Sequence, residues 1–89
     1  MTGAEINVKG LVQGVGFRYQ TLQKAREMNL KGLVENQDDG SVKIIAEGEK
    51  KAILFFADWL KTGISGAKVD DIKINWYPFK GEYNDFSIN

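Results

Sequence analysis

The 89-residue chain predicts a single α+β domain, a sandwich of two helices packed on one face of an antiparallel sheet. Three observations predict it. Apolar residues recur at every second position in separate short stretches, which is strand periodicity. Two intervening stretches recur at three and four, which is helix periodicity. The elements follow in the order β-α-β-β-α-β with a short fifth strand, and each helix has one apolar face to bury.

The first strand is carried by Ala4, Ile6, Val8, Gly10 and Val12, alternating with Glu5, Asn7, Lys9 and Leu11. Gly14 and Gly16 break it. A helix follows over about Phe17–Met28, with Leu22, Ala25 and Met28 at helical spacing and Asn29 as a left-handed cap. Leu30 to Glu35 reads as the second strand, extending to Asn36. Asp39-Gly40 is a hairpin signal, because glycine accepts positive φ. Val42, Ile44 and Ala46 alternate with Lys43, Ile45 and Glu47 in the third strand. The second helix runs from about Glu49 to Thr62. Ala52, Phe55, Phe56, Trp59 and Leu60 form its apolar stripe, which assigns Phe55, Phe56 and Trp59 to the core. Gly63 takes the C′ position. Ile72, Ile74 and Trp76 alternate with Lys73, Asn75 and Tyr77 in the fourth strand, and Phe86 and Ile88 mark the fifth. This is the split βαβ, or ferredoxin-like, arrangement, with an expected core strand order of 4-1-3-2. No repeat or Pro-rich linker divides residues 1–89, and the one proline is Pro78.

Composition narrows the chemistry. Hydrophobic residues make up 43% and charged residues 27%, the balance of a globular domain and not of a disordered tail. Twelve Lys and Arg offset twelve Asp and Glu, so the chain has no general attraction to nucleic acid or to an anionic membrane. Any anion site must be local. The apolar runs are far shorter than the ~20 residues that span a bilayer. The start, Met1-Thr2-Gly3-Ala4-Glu5, has neither a basic region nor an apolar stretch, and a cytoplasmic protein is the simplest expectation. There is no Cys and no His, which excludes cysteine phosphatases, Ser-His-Asp chemistry, phosphohistidine transfer and Cys- or His-ligated metals.

Within that reduced set, the segment Gly10-Leu11-Val12-Gln13-Gly14-Val15-Gly16-Phe17-Arg18 stands out, because it joins a strand to a helix. Its glycines let the backbone turn sharply and gather N–H groups. The helix adds unpaired N–H groups and the positive end of its dipole. Arg18 then stands in the first turn, where a cation is mildly unfavourable unless an anion lies between them. These features suit a phosphate cradle. A tight strand-helix turn with a solvated Arg fits the local physics equally well. No Walker Gly-Lys-Ser/Thr is present, and Tyr19 stands where a dinucleotide fingerprint needs its third glycine. Asn36, taken alone, reads as a strand-end residue beside a turn. Asp38 and Asp39 read as hairpin chemistry, since no further ligand cluster accompanies them, and Asp70-Asp71 as a solvated strand start, since it lacks the spacing of a phospho-aspartate motif.

The stretch GLVQGVGFRY resembles the first signature of the acylphosphatase family, and GLVENQDDGSV, residues 32 to 42, resembles the second. Their order and separation also match. Gly81-Glu82-Tyr83 and Phe86 are similar to the family's closing strand. The resemblance implies hydrolysis of the carboxyl-phosphate bond of small acyl phosphates, with no metal or organic cofactor. It implies that Arg18 binds the phosphate, with N–H groups of Gln13, Gly14, Val15, Gly16, Phe17 and Arg18 itself, and that Asn36 positions the attacking water. A monomer is the default expectation. Two departures concern packing: Leu33 stands where the family usually has an aromatic residue, and Gly63-Ile64-Ser65-Gly66 where it has prolines.

Two other functions compete with this one. Some ferredoxin-like domains bind RNA, but they carry their aromatic motif on the sheet within a basic field; here Gly-Phe-Arg precedes a helix. A catalytically idle domain of the same family, serving a partner protein, is the other, and retention of both Arg18 and Asn36 speaks against it.

Overall fold

A computed structural model describes all 89 residues. Its elements are β1 (Thr2–Leu11), α1 (Phe17–Glu27), β2 (Lys31–Asn36), β3 (Val42–Gly48), α2 (Lys50–Thr62), β4 (Lys68–Pro78) and β5 (Phe86–Ile88). One sheet contains all five strands in the order β4-β1-β3-β2-β5, which includes the expected 4-1-3-2 core. The expectation of a wholly antiparallel sheet is corrected. β5 runs parallel to β2, pairing Gly32 with Phe86 and Val34 with Ile88. The connection explains it. β4 ends opposite Thr2, at the end of the sheet where β1 and β2 begin. The chain crosses there to the opposite edge and must leave in the direction of β2.

Alternation in β1 places Ala4, Ile6 and Val8 on the helix side. Each is flanked by like residues: Ala46, Ile44 and Val42 on β3, and Trp76, Ile74 and Ile72 on β4. These rows form one wall of the core, apart from Trp76, which is exposed at its margin. From α1, Phe17, Thr21 and Ala25 are buried against it, with Leu22 and Met28 half-buried at the margin. Asn29 ends the helix as expected, with φ 58°. Its N–H reaches the Arg26 carbonyl at 3.1 Å and that of Leu30 reaches Ala25 at 2.9 Å. This is a Schellman pair, and it satisfies two otherwise orphaned carbonyls.

The stripe of α2 lies elsewhere than expected. Ile53, Phe56, Ala57 and Leu60 are buried, whereas Phe55 is 65% exposed and Trp59 half-buried. Both sets follow helical spacing and share Phe56 and Leu60, so periodicity could not separate them. Ala57 is the small residue that lets the helix approach the sheet. Gly63 also departs from expectation, since its φ of −81° is ordinary. Glycine is required there because an added Cβ would lie 2.2 Å from the Trp59 ring nitrogen.

The far face of the sheet is closed at one point. The Tyr77 ring lies over Gly3, where no Cβ would fit, and its hydroxyl donates to the carboxylate of buried Glu47 at 2.9 Å. That carboxylate also accepts the N–H groups of Lys80 and Gly81.

Candidate active site

Because β1, β2 and β5 are mutually parallel, their C-terminal ends meet at one edge of the molecule. That edge collects the β1–α1 loop, Asn36 and the segment ending at Asn89. The loop turns through Gly14 and Gly16, with φ of 78° and 75°, a conformation that costs other residues about 1–2 kcal/mol. Gly16 is the N-cap of α1. It offers no side chain to the first-turn N–H groups, and no acidic residue stands in that turn. The start of the helix therefore keeps free donors and an unbalanced dipole.

The loop is fixed against the hairpin that follows Asn36. Gln13 Nε2 donates to the carbonyls of Gln37 (2.8 Å) and Ser41 (2.9 Å). The hairpin is held by Asp39, whose carboxylate accepts the Ser41 hydroxyl at 2.6 Å and the Ser41 N–H at 2.9 Å. Those bonds keep the Asp39 carboxyl below its ordinary range. Asp39-Gly40 thus serves the turn, as its sequence suggested.

Arg18 and Asn36 line the same pocket. Gly14, Gly16, Phe17, Val12, Tyr19 and Ile88 complete it. Its volume is about 180 Å³. That is below the ~300–1,000 Å³ of pockets enclosing drug-sized ligands, so it can enclose only a small group. No carboxylate lines it, and Arg18 is its one cation. The Gln13 side chain points to the hairpin instead, and Val15 packs toward Gly66. Asn36 reaches the pocket because it sits level with inward-facing Val42, on the helix side of β2.

Sequence reasoning did not find Tyr19, Ile88 or Asn89. Arg18 Nη1 donates to the Asn89 main-chain oxygen at 2.8 Å. The Asn89 carboxamide donates to Glu35 Oε2 at 3.0 Å, and Lys43 Nζ lies 3.0 Å from Glu35 Oε1. The Asn89 hydrogen bond, then that of Lys43, holds the Glu35 carboxyl below its usual range. No periodicity in three residues of β5 could have announced these contacts. The segment Gly63–Gly66, lacking prolines, is secured otherwise. Ile64 is buried, and Gln20 exchanges two hydrogen bonds with the Ser65 backbone, at 3.0 and 3.1 Å.

The profile of the acylphosphatase family matches residues 4–88. An acylphosphatase of Mannheimia succiniciproducens is 49% identical, over 91% of this chain and 90% of its own. One from Caldanaerobacter subterraneus subsp. tengcongensis is 42% identical, over 93% and 92%. Among solved structures, the crystal structure of acylphosphatase from Bacillus subtilis superposes with a TM-score of 0.96 at 40% identity, covering 100% of this chain and 99% of that one. A fold, a loop-and-strand pocket and a full-length sequence match therefore agree, and the chain belongs to the acylphosphatase family.

Proposed function

We propose that this enzyme hydrolyses small acyl phosphates to carboxylate and inorganic phosphate at the pocket between the β1–α1 loop and the end of β2. Arg18 and the loop N–H groups from Gln13 to Arg18 hold the phosphoryl oxygens. The Asn36 carboxamide orients a water in line with the bond to the acyl oxygen. The observation that carries this reading is the convergence of Arg18 and Asn36 on one small pocket at an uncapped helix N-terminus.

The chemistry suits so spare a site. An acyl phosphate leaves as a carboxylate, so the departing oxygen needs little acid catalysis. Positioning and charge stabilisation are what remain for the protein. A guanidinium can pair two phosphoryl oxygens at once, and preorganised amides serve the third. Asn36 cannot accept a proton near neutral pH, but its amide can align a water. Water adds to phosphorus as the P–O bond to the acyl group breaks, and its proton passes to a phosphoryl oxygen. We further read the protein as a cytoplasmic monomer that engages neither nucleic acid nor membrane, a reading supported by its balanced charge.

Turnover of benzoyl phosphate in the presence of EDTA tests this. Activity is expected, with competitive inhibition by inorganic phosphate. Arg18→Ala should abolish turnover and phosphate binding. Asn36→Ala should lower kcat by about 100-fold or more, as for loss of a transition-state donor, while phosphate still binds. Near-normal rates in either folded variant would remove the assigned role.

A further inference from the structure

Arg18 is held by a chain of contacts that starts on the opposite face of the sheet. Glu35 precedes Asn36 in β2, so their side chains leave on opposite faces. Asn36 faces the pocket, and Glu35 faces away from it. Glu35 nevertheless reaches Arg18 through one intermediary. Its Oε2 accepts the Asn89 carboxamide at 3.0 Å, and the Asn89 main-chain oxygen accepts Arg18 Nη1 at 2.8 Å. The Asn89 N–H is fixed in turn on the Val34 carbonyl at 2.9 Å. Asn89 is thus pinned through its N–H and its side chain, leaving its main-chain oxygen directed at the guanidinium. Glu35 is itself steadied by Lys43 at 3.0 Å and Gln37 at 3.3 Å.

We propose that Glu35 is a positioning residue for phosphate recognition, acting through Asn89 to hold the Arg18 guanidinium toward the pocket. This rests on the reading of Arg18 as the phosphate ligand. An arginine side chain has several freely rotating bonds, and its fork grips an oxyanion well only when its plane is fixed. One of its five donors is spent on Asn89, and the others stay free for an anion. Loss of the anchor leaves the Asn89 side chain without its acceptor and lets the Asn89 main-chain oxygen drift. The guanidinium then has to be ordered by phosphate itself, and that ordering lowers affinity.

The test compares Glu35→Ala, Asn89→Ala, their double variant, Glu35→Gln and Glu5→Ala. The readouts are the inhibition constant of inorganic phosphate, KM and kcat for benzoyl phosphate, and the NMR signal of the Arg18 Nε–H group. Glu35→Ala and Asn89→Ala should each weaken phosphate binding about three- to tenfold, the scale of one lost hydrogen bond. KM should rise with little change in kcat, because the site is loosened and not dismantled. The double variant should be no worse than either single one, as for two links of one chain. Glu35→Gln keeps an acceptor for the Asn89 amide and should restore affinity to within about twofold. Glu5, whose carboxylate on the same face receives Asn7 and no pocket residue, serves as the control; its replacement should change nothing. The Arg18 Nε–H signal should shift or broaden in both single alanine variants and remain in place in Glu5→Ala. Asn89 lies exposed after the last strand, so Asn89→Ala keeps the test usable should Glu35→Ala fail to fold. Unchanged phosphate affinity in folded Asn89→Ala, with Arg18→Ala still inactive, overturns this inference alone. Retained phosphate binding in Arg18→Ala overturns the reading of the site beneath it.

Discussion

At the scale of single residues, one buried charge matters most outside the pocket. Glu47 is only 1% exposed, yet its carboxylate is satisfied by the Tyr77 hydroxyl and two backbone N–H groups. Removing it strands three donors at once. Glu47→Ala should therefore cost about 2–4 kcal/mol, against a typical surface change within about 0.5 kcal/mol. Urea unfolding measures this, and a loss under ~1 kcal/mol would mean the donors find water. Nothing in the strand pattern announces such a residue, because alternation assigns Glu47 to the polar face and stops there. Arg18, Asn36 and the two loop glycines are different. Their convergence on one pocket follows from motif and spacing along the chain, and the roles proposed for them rest on that. Glu35 and Asn89, 54 positions apart, meet only through tertiary structure.

At the scale of elements, the errors fall on α2 and the turn after it, and they share one side chain. Trp59 stacks near Phe56 with ring centroids 6.4 Å apart, lies under the Lys24 ammonium and covers Gly63. A glycine after a helix suggests a left-handed cap, but here it makes room for an indole. The two explanations differ in their consequences. If backbone conformation mattered, Gly63→Ala would be harmless at φ −81°. Because the ring occupies the space, Gly63→Ala should cost about 1–3 kcal/mol, as overpacking does. In a Trp59→Leu background the same change should cost well under half as much, a non-additivity that a double-mutant cycle in urea reads directly. Equal costs in both backgrounds would show that the indole does not set the penalty. The apolar stripe shows the same limit. A rotation of one residue about the helix keeps Phe56 and Leu60 in the stripe and replaces Ala52, Phe55 and Trp59 with Ile53 and Ala57.

At the scale of the whole molecule, the order of the four long strands was legible because the β-α-β-β-α-β succession implies the split βαβ arrangement, while alternation fixes each strand's inward face. β5 was not, because three residues cannot fix a partner. Its position is set by the crossing from β4. Four inter-strand steps of about 4.8 Å make about 19 Å. The eight residue steps from Pro78 to Phe86 reach at most ~29 Å. The segment is long enough to cross with about 10 Å to spare, and along the end of the sheet its N–H groups have no strand to pair with. Glu47, on the central strand β3, receives two of them midway. Arg26 then fastens the arrival, at 3.0 Å from both Asp85 and the Phe86 carbonyl, and Arg18 fastens the end.

These ties make stability depend on pH with a definite sign. Glu35 is held low by Asn89 and Lys43, Asp39 by Ser41, and Asp85 by the Phe86 N–H. Each folded value lies below the unfolded one. Their contribution is complete above the ordinary carboxylate range near pH ~4 and is lost as pH falls through the depressed values. Tyr77 is pushed up by burial and by donation to Glu47, and Lys43 by its bond to Glu35. Their contributions are complete below about pH 10 and fade as pH rises beyond it. The unfolding midpoint in urea, followed from pH 2 to 11, should show a broad maximum with both limbs falling outside about pH 4 and 10. Tyr77→Phe should flatten the alkaline limb alone, and Glu35→Gln should soften the acid limb alone. An acid limb unchanged in Glu35→Gln would show that its ties to Asn89 and Lys43 add nothing to stability. The carboxylate's influence would then be confined to aiming Arg18.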